Sequence, residues 1–379
     1  MLHMEHQLNS LLHYYFKNKE LDELYVSVAL KALAVSFIQV FVPIFLYKLG
    51  YGIQAIGWYY LVYFFVVVIL QPFCMKLNSI LGVKKVLSIG TILLALYYYL
   101  LNVLSSGNIH YLLVAATFGI SVSMYYAAFH IEFARNSDKK KEASEFSMIR
   151  IATTLGPLLG ALFIDNISFN LLFLLVSGLL ILSIVPLFMT KDKKLKKQKL
   201  SLKGILGADT WRKGIAYQAS GILNISSGVF WPLFIFLTLE TVLSLGAIIT
   251  LTSILMVVFL IMIGRLSDKH KDKVLVFGII SHSFSWISRL SFLSPFGVFL
   301  NNFYASITYL AVDLPFAKCI YEGSRSKKNI MEYFLFREVN LELGRIVILL
   351  LAILTGSIYW IFVASFFATF LNFVLLKEG

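Results

Sequence analysis

The sequence predicts an all-α membrane protein with twelve transmembrane helices in two six-helix halves, and three observations carry that prediction. Hydrophobic residues make up 59% of the 379-residue chain and charged residues 14%, where a soluble domain holds about 25% charge. With a mean hydropathy of +0.82, an ordinary soluble enzyme is excluded. Apolar runs close to the roughly 20 residues that a membrane-crossing helix needs recur from one end to the other. At the centre, Lys191 to Lys213 interrupts them with nine Lys or Arg side chains. Each would cost roughly 2.5–3.5 kcal/mol at mid-membrane, so this stretch stays out of the lipid and divides the chain.

Taken in order, residues 1–24 are too polar for a signal-peptide core. They read as a cytoplasmic, interfacial segment carrying Leu8, Leu11, Leu12, Tyr15 and Phe16. Residues 25–189 hold six spans, at about 25–47, 53–75, 83–104, 109–133, 145–165 and 168–189. Residues 190–213 form a basic cytoplasmic linker. Residues 214–379 hold the other six, at about 214–238, 242–263, 274–293, 296–318, 332–353 and 356–376. The breaks after Tyr47, Leu104, Ile164, Thr238, Leu293 and Leu354 are short, whereas the others are longer and basic. With the N-terminus inside, 27 of the 33 Lys and Arg fall on the cytoplasmic side and one, Lys48, outside. The positive-inside rule then puts both termini in the cytoplasm of a cell membrane. This asymmetry accounts for the net charge of +13 without a nucleic-acid partner, and it sets the inner loops against anionic lipid. Cys74 and Cys319 lie near cytoplasmic span ends and read as thiols rather than a disulfide framework.

The halves repeat one another. Lys85-Val-Leu-Ser-Ile-Gly90 matches Lys273-Val-Leu-Val-Phe-Gly278, each opening the third span of its half. Ala128-Phe-His-Ile-Glu-Phe-Ala-Arg135 matches Ala311-Val-Asp-Leu-Pro-Phe-Ala-Lys318, each closing the fourth. The fifth spans share a polar first half and a glycine, Gly156 and Gly344. Six spans is an even number, so the repeats are parallel and related by an axis along the membrane normal.

On this layout the chain resembles the major facilitator superfamily. Gly264-Arg-Leu-Ser-Asp-Lys-His-Lys-Asp-Lys273 is similar to the family's cytoplasmic loop signature, although the glycine expected after the first basic residue is absent. The equivalent loop of the first half, Lys76 to Lys85, has Lys76 and Ile80 in place of the leading Gly and the Asp. Gly156-Pro157 resembles an element of many exporters of that family. The resemblance implies the major facilitator fold, a central cavity lined by spans 1, 4, 7 and 10, and a conformational latch at Gly264, Arg265 and Asp268. Ile80 cannot accept a hydrogen bond, so the first-half latch is expected to be weak.

Charges inside the spans are the candidates for ion coupling. Glu338, Glu342 and Arg345 lie on one helical face at i, i+4 and i+7, with Arg337 beside them. Arg150 aligns with Glu338 when Gly156 is set on Gly344. His130 and Asp313 hold matching positions in the two repeats and are titratable groups in apolar surroundings. Lys31 either snorkels to the cytoplasm or meets a carboxylate or an anionic cargo. These eight residues form the expected charge network, with structural ion pairs as the competing reading. The expected cavity set is Gln39, Asn224, Ser227, Trp231, Asn301, Asn302, Tyr304 and Tyr309. Trp231-Pro232 reads either as a kink or as a plain packing position. Arg289 reads as reaching the external interface and is left out of the site.

The sequence holds no phosphate-binding loop, no His-Cys metal cluster and no nucleophile with a base at useful spacing. Neither a cofactor nor a metal is expected, and neither is an enzyme. The expectation is a monomeric secondary transporter for a small molecule, driven by protons and working by alternating access, exporting an apolar or amphipathic compound. An uptake permease for a polar or anionic nutrient, a lipid flippase and a non-transporting sensor or scaffold remain open.

Overall fold

The computed structural model describes residues 19–136, 153–190, 192, 201–325 and 330–377. Among them every regular element is helical. In chain order they are α1 (Lys19–Ser36), α2 (Val42–Lys48), α3 (Ile53–Leu81), α4 (Val83–Leu104), α5 (Tyr111–Asn136), α6 (Gly156–Asn166) and α7 (Phe169–Ile184). After the linker come α8 (Leu202–Leu206), α9 (Trp211–Ile225), α10 (Trp231–Leu239), α11 (Val242–Lys269), α12 (Lys271–Ser288), α13 (Pro295–Arg325), α14 (Ile330–Thr355) and α15 (Ile358–Phe370).

Eight helical stretches of the described residues are long and apolar enough to cross a membrane, among them Glu23–Lys48, Trp211–Leu239 and Val242–Lys269. The chain is therefore an all-α, multi-span membrane protein. Besides the short α8, four further helices pack among these. Of them, α6 is described over 11 residues, and α12 opens on Lys271-Asp272-Lys273. Asp313 lies in α13, and α14 carries Arg337, Glu338, Glu342 and Arg345. The interfacial segment expected at residues 1–24 lies mostly outside the described residues.

Proline breaks two of the long stretches in the same way. Pro43 is the second residue of α2, behind a 3-10 turn at Gln39–Phe41. Pro232 is the second residue of α10, behind a π turn at Ser226–Phe230. A proline has no N–H for the carbonyl four residues earlier, so the backbone re-pairs locally at Gln39 and at Gly228. The Trp231-Pro232 kink is one of the two readings of the sequence; the Pro43 break is not among its expectations.

Packing in the first half is matched in the second. Helix α4 packs on α5 and α7, as α12 packs on α13 and α15. Helix α3 packs on α5, as α11 packs on α13. Glycines set the closest approaches: a Cβ at Gly90 would stand 2.6 Å from the Tyr125 amide, and one at Gly278 2.7 Å from the Ala311 carbonyl carbon. A Cβ at Gly160 would overlap the Phe37 carbonyl, and one at Gly344 the Gln218 carbonyl. Gly156 makes an approach of the same kind, its Cβ running into the Ser36 side chain.

Between the halves, α3 packs on α14 and α6 on α11. These contacts include the end with the short connections. There Gln54 Nε2 donates to the Ile353 carbonyl (2.9 Å), and nearer mid-span Leu158 N donates to Thr250 Oγ1 (3.1 Å). The first-turn amides of a helix have no partner within it, and Thr250 supplies one.

At the opposite end the linker caps the first repeat. Asp192 accepts from the Lys84 and Lys85 amides, both at 3.1 Å. A carboxylate at a helix N-terminus satisfies orphan donors and complements the dipole. Gly82, with φ +102°, turns the chain where a Cβ would run into Asp192. Alongside, Lys84 Nζ is paired with Glu23 at 2.8 Å and touches Thr190.

Candidate functional site

A cavity of about 460 Å³ lies where both broken helices face α11, α12 and α13. That volume is in the usual range for small-molecule sites. The break behind α2 contributes Gln39, and the π turn and its neighbours contribute Asn224, Ser227 and Trp231. Helix α11 adds Thr252 and Met256, α13 adds Asn302, Ser306 and Tyr309, and Thr153 and Thr154 come in ahead of α6. His282 of α12 and Arg289, its C-cap residue, complete the polar wall. Among the described residues no Asp or Glu lines the cavity.

Six of the eight expected cavity residues line it. Asn301 and Tyr304 do not, because the cavity side of α13 carries residues 302, 305, 306 and 309 and adjacent positions turn away. Asn301 donates to Ser288 Oγ at 2.7 Å instead, and Tyr304 O–H donates to the Ser281 carbonyl at 3.0 Å.

The wall is held by hydrogen bonds between helices. Trp231 Nε1 donates to Asn302 Oδ1 at 2.7 Å, and Asn302 Nδ2 donates to Thr252 Oγ1 at 2.9 Å. His282 Nδ1 lies 3.2 Å from Thr308 Oγ1, while its Nε2 has no partner.

Arg289 differs most from its expected place. It is 3% exposed and lines the cavity instead of reaching an interface. Its guanidinium carbon stands 3.7 Å from the Trp286 ring centroid and 4.5 Å from that of Trp231. Its Nε and Nη1 have no hydrogen-bond partner. Position near a span end suggested snorkelling; two indole faces retain the cation instead.

The expected charge network is arranged as neighbouring pairs on α14. Arg345 Nη1 donates to Glu342 Oε1 at 2.6 Å, and Arg337 Nη1 to Glu338 Oε1 at 2.5 Å. Glu342 is 2% exposed and its Oε2 has no partner. Arg345 also lies over the Phe64 ring of α3, 4.8 Å from its centroid. None of these four residues lines the cavity. Lys31 has no carboxylate partner among the described residues; its ammonium sits 3.4 Å from the Tyr125 ring centroid. Asp313 accepts from the cavity residue Tyr309 at 3.3 Å, one helical turn away. The side chain of His130, on α5, and all of Arg150 lie outside the described residues.

The latch residues stand apart from the cavity near the end of α11. Among the described residues, nothing beyond its own helix and chain neighbours lies within 4 Å of a Cβ built on Gly264, and Arg265 and Asp268 are exposed. In the helix-5 element, Gly156 packs on Ser36 of α1, and the Pro157 carbonyl meets Gly246 of α11.

A family model described as the Major Facilitator Superfamily matches residues 24–221. The uncharacterized protein YqgE of Bacillus subtilis (strain 168) is 25% identical over 365 residues, spanning 88% of this chain and 82% of that one. A mutant of the nucleoside transporter NupG superposes with a TM-score of 0.69 at 13% identity, over 95% of this chain and 99% of its own. A POT family transporter in complex with 5-aminolevulinic acid gives 0.68 at 13% identity, over 94% and 95%. At such identities the likeness to these structures is one of fold.

Proposed function

The chain belongs to the Major Facilitator Superfamily, and on that premise we propose that it is a secondary transporter carrying a small molecule by alternating access. It crosses the membrane twelve times as two six-helix halves, residues 25–189 and 214–379, with both termini and the 190–213 linker in the cytoplasm. Support for the halves comes from the paired packing of α3–α5 with α11–α13 and from the charge asymmetry of the loops.

The observation that carries the reading is the cavity between the two proline-broken helices. Irregular backbone within a membrane is tolerated where it lines a cavity, and Gln39 and Ser227 occupy such breaks. The halves meet at the short-connection end through Gln54 and the Ile353 carbonyl. That contact supports a state closed outside. The closing half of the cycle brings the Gly264-Arg265-Asp268 latch together.

Within that frame the cargo is amphipathic, export is the direction favoured by Gly156-Pro157, and protons drive it. Glu342, held in the bundle with one oxygen unpartnered, is the proposed proton carrier. Asp313, linked to the cavity by Tyr309, is the second candidate. The experiment is flux in proteoliposomes with an internal pH dye and a broad compound panel. A cargo-dependent proton flux lost in Glu342→Gln or Asp313→Asn is expected. Transport that ignores pH and both substitutions would end the proton-coupled reading.

A further inference from the structure

We propose that the cavity recognises an oxyanion, a carboxylate or phosphate group on an amphipathic cargo, and that Arg289 is the residue that receives it. The inference rests on the cavity being the transport site and names the class of compound it takes.

Three observations meet at this point. Arg289 is almost wholly enclosed, yet its Nε and Nη1 have no hydrogen-bond partner. Buried guanidinium N–H groups without acceptors are costly, and buried charges are ordinarily paired. Among the described residues, the wall that Arg289 shares holds no carboxylate to pair with it. The other polar groups beside it, such as His282 and Asn302, carry no negative charge. Trp286 and Trp231 flank the guanidinium with their rings, 3.7 and 4.5 Å from its carbon, and an indole offers it no acceptor oxygen. A planar guanidinium suits carboxylate and phosphate oxygens in a way that an ammonium does not.

The rest of the wall fits the other end of such a molecule. Met256, Val257 and Leu260 provide an apolar surface on α11. A compound with an oxyanion at one end and an apolar body would thus place its charge at Arg289 and its body along α11.

The test uses the purified full-length protein and four probes that share one apolar body: 4-phenylbutanoate, 4-phenylbutyl phosphate, 4-phenylbutanamide and 4-phenylbutylamine. Binding is read from tryptophan fluorescence and from the shift in melting temperature. The expected result is that at least one of the acids binds roughly tenfold or more tightly than the amide, with the amine weakest. The order of the two acids tells carboxylate from phosphate. In Arg289→Gln the preference for acid over amide disappears. If that variant does not fold, Arg289→Lys decides: acid binding falls while amide binding holds. Equal binding of amide and acid, an acid preference that survives Arg289→Gln, or no binding by any probe would overturn the inference. The transport reading is judged separately by the compound panel, and it stands if a neutral or cationic compound is carried.

Discussion

Trp231 and Asn302 are joined across the cavity wall by an indole N–H to amide oxygen bond of 2.7 Å, and Asn302 continues the link to Thr252 at 2.9 Å. Three helices, α10, α13 and α11, are thereby fixed around one polar chain. Trp231→Phe leaves the buried Asn302 Oδ1 without its donor, a loss of about 1–3 kcal/mol. The expected outcome is a lower melting temperature in detergent together with weaker cargo binding. Unchanged melting would mean that the bond holds nothing together.

Glu342 and Arg345 answer a different question. Removing Arg345 alone strands a buried carboxylate, and breaking a buried pair of this kind costs roughly 3–5 kcal/mol. Replacing both partners avoids the stranded charge. Arg345→Met is therefore expected to be poorly folded, and Arg345→Met with Glu342→Gln to be recovered for folding yet unable to couple protons. Thermal unfolding of the two variants checks the first part and the pH-dye assay the second. A double variant no more stable than the single one would count against the pairing.

Glycines separate packing from movement. A Cβ at Gly344 overlaps the Gln218 carbonyl, so Gly344→Ala is expected to destabilise by about 1–3 kcal/mol. Among the described residues, nothing beyond its own helix and chain neighbours lies within 4 Å of a Cβ at Gly264, and Gly264→Val should leave stability within about 0.5 kcal/mol, as surface changes do. It should nonetheless slow transport, because the latch cannot close on a branched side chain. Melting curves beside initial rates distinguish the two roles, and a Gly264→Val protein with normal rates removes the latch.

The loops of the two repeats should respond differently. Asp268→Asn is expected to slow cycling, whereas Ile80→Asn is expected to matter little. The carboxylate missing from the first loop is supplied by Asp192 at the start of α4. Asp192→Ala should therefore cost about 0.5–2 kcal/mol, as loss of a helix cap does. Equal transport loss in Asp268→Asn and Ile80→Asn would contradict the asymmetry.

Much of this architecture could be read from the residues. Apolar runs and basic breaks gave helix positions because lipid imposes length and charge rules on every segment. Span ends at the long, basic breaks are read short from the sequence: α3 runs to Leu81 and α13 to Arg325, since a helix continues past the lipid once hydropathy stops marking it. In the cavity, polar residues near mid-span such as Gln39 and Asn302 stood out against apolar neighbours. Asn301 and Tyr304 were misplaced because a helix turns about 100° per residue and composition carries no such phase. Arg289 was misread for a related reason. Its position along the span was visible, but the indoles of Trp231 and Trp286 that enclose it come from separate helices. Ser, Thr and His at the wall, such as Thr252 and His282, give no signal that separates them from ordinary helix residues.

The account rests on the halves parting at the end where Gln54 meets Ile353. In a background with Cys74 and Cys319 replaced, Gln54→Cys and Ile353→Cys are joined by a short thiol-reactive linker, and transport is compared before and after. Alternating access predicts that joining them stops flux while cargo still binds. Full transport through protein that is completely cross-linked would contradict it.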